Sequence, residues 1–124
     1  MTNKEVIGSW DLESFIIEKP GGSRRNWGDD ASGLLIYTEA GTMSVSINSK
    51  VKGSDLAAQF KSILFYSGTF DVKNDNTIVH NVTQASDPSR IGKEMVRKAL
   101  LNGKKLTLIG EGEFGVAKVV WVRR

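Results

Sequence analysis

Cysteine is absent from this chain of 124 residues, and histidine occurs once. Without cysteine there is no disulfide and no thiolate chemistry, which suits a reducing compartment; the cytoplasm is the expected setting. A single histidine would leave a zinc centre to carboxylates, and no clustered spacing of acids suggests one, so neither a metal nor a cofactor is expected. Long apolar runs are missing too. The opening MTNKEVIGSW holds no signal-peptide core, and no segment is long enough to span a bilayer. Nor is there a large charge imbalance: 17 Lys+Arg against 14 Asp+Glu leave +3, which favours solubility more than attraction to nucleic acid or an anionic membrane.

What is present reads as an ordinary globular chain, 40% hydrophobic and 25% charged, and as one domain over residues 1–124, without repeats or linkers. Apolar residues alternate with period two between short turn-forming clusters, which predicts antiparallel strands. Eight are expected: Ser9–Glu18, Gly33–Thr38, Thr42–Asn48, Phe65–Val72, Thr77–Gln84, Lys93–Leu101, Lys104–Ile109 and Val116–Arg123. Glu39-Ala40-Gly41, Lys73–Asn76 and Asn102-Gly103 are hairpin turns. One short amphipathic helix is expected at Ser54–Leu64, where Ser54 can cap and Leu56, Phe60, Ile63 and Leu64 share a face. Hairpins between successive strands favour a closed up-and-down all-β barrel over a sandwich, and closure removes exposed edges.

Opposed residues of a hairpin point to the same side, so the turns also predict the interior. Pairing Thr38 with Thr42 puts Leu35, Tyr37, Met43, Val45 and Ile47 on one face. A three-residue loop at Asn74–Asn76 adds Tyr66, Phe70 and Val72. A symmetric link between the fifth and sixth strands sets His80 opposite Arg97, Val82 opposite Met95 and Ile78 opposite Ala99. Across Asn102-Gly103, Arg97 then meets Leu108 and Ala99 meets Leu106. The lining is apolar apart from two phenols, one imidazole and one guanidinium, and it contains no carboxylate. An inward arginine needs an anion, a hydrogen-bond network or water.

Gly8-Ser9-Trp10 near the start, with a basic residue late in the last strand (Arg123 or Arg124), resembles the calycins, the small barrels that include lipocalins and fatty-acid-binding proteins. A closer resemblance is to a family of short lipocalin-like domains. It is carried by Gly8, Trp10, Leu12, Ser14 and Phe15, then Gly33, Leu35, Tyr37, Gly41, Met43 and Ser44, then Tyr66, Gly68, His80, Gly92 and Arg97. Phe70 departs from the pattern, which has tyrosine there, and so removes one hydroxyl. The resemblance implies a barrel whose tryptophan packs across one end beneath the arginine, and a cavity for a small, largely apolar ligand.

On this reading the ligand-binding residues are Tyr37, Met43, Tyr66, Phe70, His80, Met95 and Arg97, and the partner is a hydrophobic or amphipathic small molecule. His80, Arg97 and the tyrosines would be its polar hook. Two alternatives stand beside it. In an isomerase, cyclase or hydratase of a hydrophobic metabolite, His80 would move a proton while Arg97 steadies an oxyanion. In a ligand-free interaction barrel, exposed Phe15, Ile17, Leu34 and Ile36 would support a homodimer. Two motif matches carry no function. Gly110–Gly115 spells G-x-G-x-x-G but falls between two strands with two glutamates inside it. Asn81-Val82-Thr83 is a glycosylation sequon inside a strand. The loop Gly21–Gly28 pairs two arginines with Trp27, a weak nucleic-acid signal better read as a solvated turn.

Overall fold

The computed structural model describes residues 1–22, 24–26, 31–49, 56, 59, 62–112 and 115–124. Helix α1 (Asn3–Val6) precedes strands β1 (Gly8–Glu18), β2 (Arg24–Asn26), β3 (Ser32–Tyr37), β4 (Thr42–Asn48), β5 (Ile63–Lys73), β6 (Thr77–Ala85), β7 (Glu94–Asn102), β8 (Lys105–Gly112) and β9 (Gly115–Arg123). Each strand from β3 to β8 pairs antiparallel with its successor. β1 then pairs with both β3 and β9, which closes an eight-stranded up-and-down barrel. β2 lies outside that count. It is a short flange on the far half of β1, within the connection between β1 and β3 (Ile16 pairs with Asn26). Among the described residues, no helix is long and apolar enough to cross a membrane.

Alternation sorts the side chains. β4 reads buried at Met43, Val45 and Ile47 and half-buried in between. Leu35 sits opposite Val45 and Tyr37 opposite Met43, as the Glu39–Gly41 turn requires. Val72 opposite Ile78 and Phe70 opposite His80 follow from the Asn74–Asn76 turn.

Two registers differ from expectation by two residues. His80 pairs with Met95, and Ile78 with Arg97. The β6–β7 link is not symmetric: Asp87 caps a short 3₁₀ turn at Pro88–Arg90, and β6 runs on to Ala85 along β5 alone. Across the next hairpin Ala99 meets Leu108 and Leu101 meets Leu106. There Gly103 (φ 61°) is the first central residue of the turn and Asn102 belongs to the strand, the arrangement of a glycine-first hairpin turn. A two-residue slip preserves the face, so the interior assignment survives both changes.

A third difference does change a face. β1 bulges between Leu12, opposite Trp121, and Ser14, opposite Val120. The inserted Glu13 stays outside, paired with Lys105 Nζ at 3.1 Å. Beyond it the parity is reversed, so Phe15 and Ile17 turn into the barrel rather than toward a partner molecule. Leu34 and Ile36 remain on the outer face, half-buried. Most of the expected helix at Ser54–Leu64 lies outside the described residues, as do Ser23 and Trp27–Gly28 of the arginine-rich loop. Leu56 and Gln59, the described residues in the middle of that helix, are helical, whereas Ile63 and Leu64 already belong to β5.

The core fills the end of the barrel where β1 begins. Trp10, fully buried, donates from Nε1 to the Val6 carbonyl at 2.9 Å, which ties α1 beneath the barrel. Arg123 lies over the Trp10 ring with its guanidinium carbon 4.2 Å from the ring centroid. Its Nη1 donates to the Ile7 carbonyl at 2.8 Å, and Nη2 to that of Glu5. Gly8 adopts φ 135°, open to glycine, and a Cβ there would lie 3.0 Å from Arg123 Nη1.

Candidate ligand-binding site

Toward the opposite end the barrel is not filled. A cavity of about 310 Å³ lies among Phe15 and Ile17 of β1, Val45 and Ile47 of β4, Tyr66 of β5, Met95 and Arg97 of β7, and Ala117, Val119 and Trp121 of β9. Its size falls at the small end of ligand pockets, and its walls are apolar with a few polar groups, as such pockets are. The polar groups are Tyr66, His80, Arg90 and Arg97; among the described residues no carboxylate lines it.

His80 is the best-connected of these. β6 turns it inward, where it is 1% exposed. Tyr37 Oη lies 2.7 Å from its Nε2, and Tyr66 Oη lies 2.6 Å from its Nδ1. Burial, reinforced by the positive charge of Arg97, pushes the imidazole pKa down to about 3. The ring is therefore neutral across the ordinary pH range, with one nitrogen donating and the other accepting. Burial also raises both phenols above the ordinary tyrosine value, although Arg97 opposes the shift. Phe70 packs on Tyr37 with ring centroids 4.5 Å apart, holding that end of the trio in place.

Arg97 is placed by β7 on the same inner side. Its Nη1 donates to the carbonyl of its own neighbour Val96 at 3.2 Å. Among the described residues it has no carboxylate partner. The guanidinium lies over Gly110, where a Cβ would sit 2.8 Å from its central carbon. Gly110 thus makes room for the charge. Arg90, from the 3₁₀ turn, adds a second cation to the lining, only loosely held by Asp87 at 3.9 Å.

Of the seven residues expected to meet a ligand, Tyr66, His80, Met95 and Arg97 line the cavity. Tyr37, Met43 and Phe70 are buried in the filled half and do not line it. Sequence reasoning missed Phe15 and Ile17 because of the bulge, and Arg90 because nothing marks a turn residue as inward. Trp121 and Gly110 left readable signals: Ala117, Val119 and Trp121 alternate, and a glycine inside an apolar strand often marks a close approach.

A small antiparallel barrel, closed at one end by a tryptophan–arginine plug and hollow toward the other, is the general class these features define. The profile of the lipocalin-like domain family matches residues 7–123, and the chain belongs to that family. No curated protein matches the chain. Among solved structures, a redesigned β-barrel is similar in fold, at 12% identity and a TM-score of 0.55, with 99% of this chain and 95% of that one covered. A mutant of the fluorescent protein UnaG aligns at 14% identity and a TM-score of 0.46, over 97% of this chain and 96% of that one.

Proposed function

We propose that this barrel binds a small amphipathic anion. Its apolar body would lie among Ile47, Met95, Val119 and Trp121, and its anionic head would face Arg97, with Arg90 close by. The observation that carries the reading is Arg97 itself, a guanidinium on the wall of an apolar cavity with no carboxylate partner among the described residues. Arg97 is half-buried, so water can reach it in the empty barrel, and an anion in the cavity would take that water's place. Family membership supports binding of a small molecule in general terms. The enzymatic alternative is less favoured: a buried imidazole with a pKa of about 3 and both nitrogens engaged is a poor proton acceptor near neutrality. Lack of cysteine makes the cytoplasm the compartment we propose.

The test uses two probes sharing one ring system, 2-naphthoate and naphthalene, titrated by fluorescence and calorimetry. Wild type should bind 2-naphthoate more tightly than naphthalene. Arg97→Met should weaken 2-naphthoate by about tenfold or more, the usual worth of a hydrogen bond to a charged group, and leave naphthalene alone. Equal affinity for both probes in the wild type would sink the anion reading.

A further inference from the structure

The Tyr37–His80–Tyr66 trio has a direction. His80 is neutral and uses both ring nitrogens, Nε2 toward Tyr37 Oη and Nδ1 toward Tyr66 Oη. A neutral imidazole offers one N–H and one lone pair, so one phenol must donate to the ring and the other must accept from it. The phenol that accepts keeps its own hydrogen for another partner.

The surroundings of the two phenols decide which one that is. Tyr37 is 1% exposed and does not line the cavity. Among the described residues its hydroxyl has no hydrogen-bond partner besides His80. If it accepted from the ring, its own hydrogen would be stranded in the core, which costs about 1–3 kcal/mol. Tyr66, by contrast, lines the cavity beside His80 and Arg97. Its hydrogen can be spent there.

We propose that Tyr37 and His80 form a one-way relay that leaves the Tyr66 hydroxyl hydrogen as the donor offered to an acceptor atom of the cavity's occupant. Tyr37 Oη–H donates to Nε2, Nδ1–H donates to Tyr66 Oη, and Tyr66 Oη–H faces the cavity. This rests on the reading that the cavity is a ligand site, and it narrows the ligand class. The occupant presents a bare acceptor, such as a carboxylate or carbonyl oxygen, shared between Tyr66 and Arg97; a head group that can only donate, such as an ammonium, is repelled by Arg97 and leaves the Tyr66 hydrogen without an acceptor. Tyr66 is then the contact residue, while Tyr37 and His80 are positioning residues that set its polarity without touching the ligand. Hydrogen bonds in such a chain polarise one another, so each link strengthens the next.

The histidine is the chain's only one, so its ring nitrogens can be read without ambiguity in ¹⁵N-labelled, ligand-free protein. The long-range proton–nitrogen spectrum should show protonated Nδ1 and bare Nε2. Protonated Nε2 with bare Nδ1 would reverse the relay and overturn the proposal. Tyr66→Phe should then weaken 2-naphthoate by about tenfold while changing naphthalene by less than about twofold. An equal loss for both probes would mean that Tyr66 only shapes the wall, and would also overturn it. Tyr37→Phe removes the donor to Nε2 at a site that does not line the cavity. It should convert the spectrum to a mixture of tautomers and lower 2-naphthoate affinity severalfold, with naphthalene again held. An unchanged tautomer with reduced affinity would count against the relay. Failure of wild type to bind 2-naphthoate would refute the anion-binding reading and the role of Tyr66 as ligand donor, whereas the direction of the relay would still be decided by the tautomer.

Discussion

Arg123 and Arg97 stand at opposite ends of one barrel, each laid over a glycine that leaves it room, and they are held to opposite degrees. A Cβ on Gly8 would meet Arg123 at 3.0 Å, and one on Gly110 would meet Arg97 at 2.8 Å. Arg123 stacks on Trp10 and donates to two backbone carbonyls, those of Ile7 and Glu5. Among the described residues Arg97 donates only to the carbonyl next to it, and it otherwise faces the cavity. The same residue type thus closes one end of the molecule and leaves the other with unspent hydrogen-bonding capacity. A guanidinium whose donors are satisfied by backbone contributes stability, whereas one left facing apolar walls keeps donors available for water or an anion.

The largest expected effect lies at the closed end. Trp10 is fully buried and its indole N–H is spent on Val6. Trp10→Ala should therefore cost about 3–5 kcal/mol in urea denaturation, the range for deleting a large buried aromatic. Whatever fraction stays folded should keep its preference for 2-naphthoate over naphthalene. Loss of that preference in folded protein, with stability intact, would invert the assignment of the two ends.

Next in size is a pH effect centred on His80. Its pKa is 6.5 ordinarily and about 3 in the fold. Between those values the unfolded chain takes up a proton that the native ring refuses, so stability falls as pH drops below about 6.5. The slope approaches about 1.4 kcal/mol per pH unit. Asp71 and Asp87 have carboxyls held below their ordinary value by Lys73 and Ser89 respectively, so the stability they add is lost only at lower pH still. Urea titrations from pH 6.5 to 4.5 should show a loss on the order of 2–3 kcal/mol in wild type that His80→Gln largely abolishes. A flat wild-type profile would mean that the ring is protonated in the fold, and with it the neutral trio would be lost.

How much of this was legible from residues alone depends on which symmetry a feature obeys. Facing obeys parity, and parity is preserved by the two-residue slips at His80–Met95 and Ala99–Leu108. The interior could therefore be read from turns even where the partners were wrong. Parity breaks where one residue is inserted, and Glu13 leaves no mark in the local pattern, so strict alternation sets Phe15 and Ile17 outside. The trio of Tyr37, Tyr66 and His80 was visible as three polar groups on one face. That both phenols reach the same ring depends on side-chain geometry, which alternation does not encode. The division between filled and hollow halves was likewise hidden, because it follows from volumes summed over all eight strands.

The two arginines give the direct test of the contrast between the ends. Arg123→Met removes two hydrogen bonds to carbonyls and the contact over Trp10, and should cost about 1–3 kcal/mol while sparing 2-naphthoate binding. Arg97→Met loses one bond to an adjacent carbonyl and relieves an unpaired charge, so its stability should stay within about 0.5 kcal/mol of wild type, even as anion affinity falls. If both variants lost stability equally, Arg97 would be a second structural plug.

The smallest effect expected is at Gly110, and it sharpens the contrast further because Gly8 provides its control. Gly110→Ala keeps an ordinary strand backbone, but its methyl enters the space of a guanidinium at the end of a flexible side chain. Arg97 can swing away, so stability should change by well under about 1 kcal/mol. The displaced charge should weaken 2-naphthoate only a few-fold and leave naphthalene unaltered. Gly8→Ala meets a guanidinium too, but one pinned by carbonyls, and it must also adopt φ 135°, which an L side chain resists. Its cost should appear in the melting temperature and not in probe affinity. The same added methyl against the same functional group would then read out as binding at one end and as stability at the other.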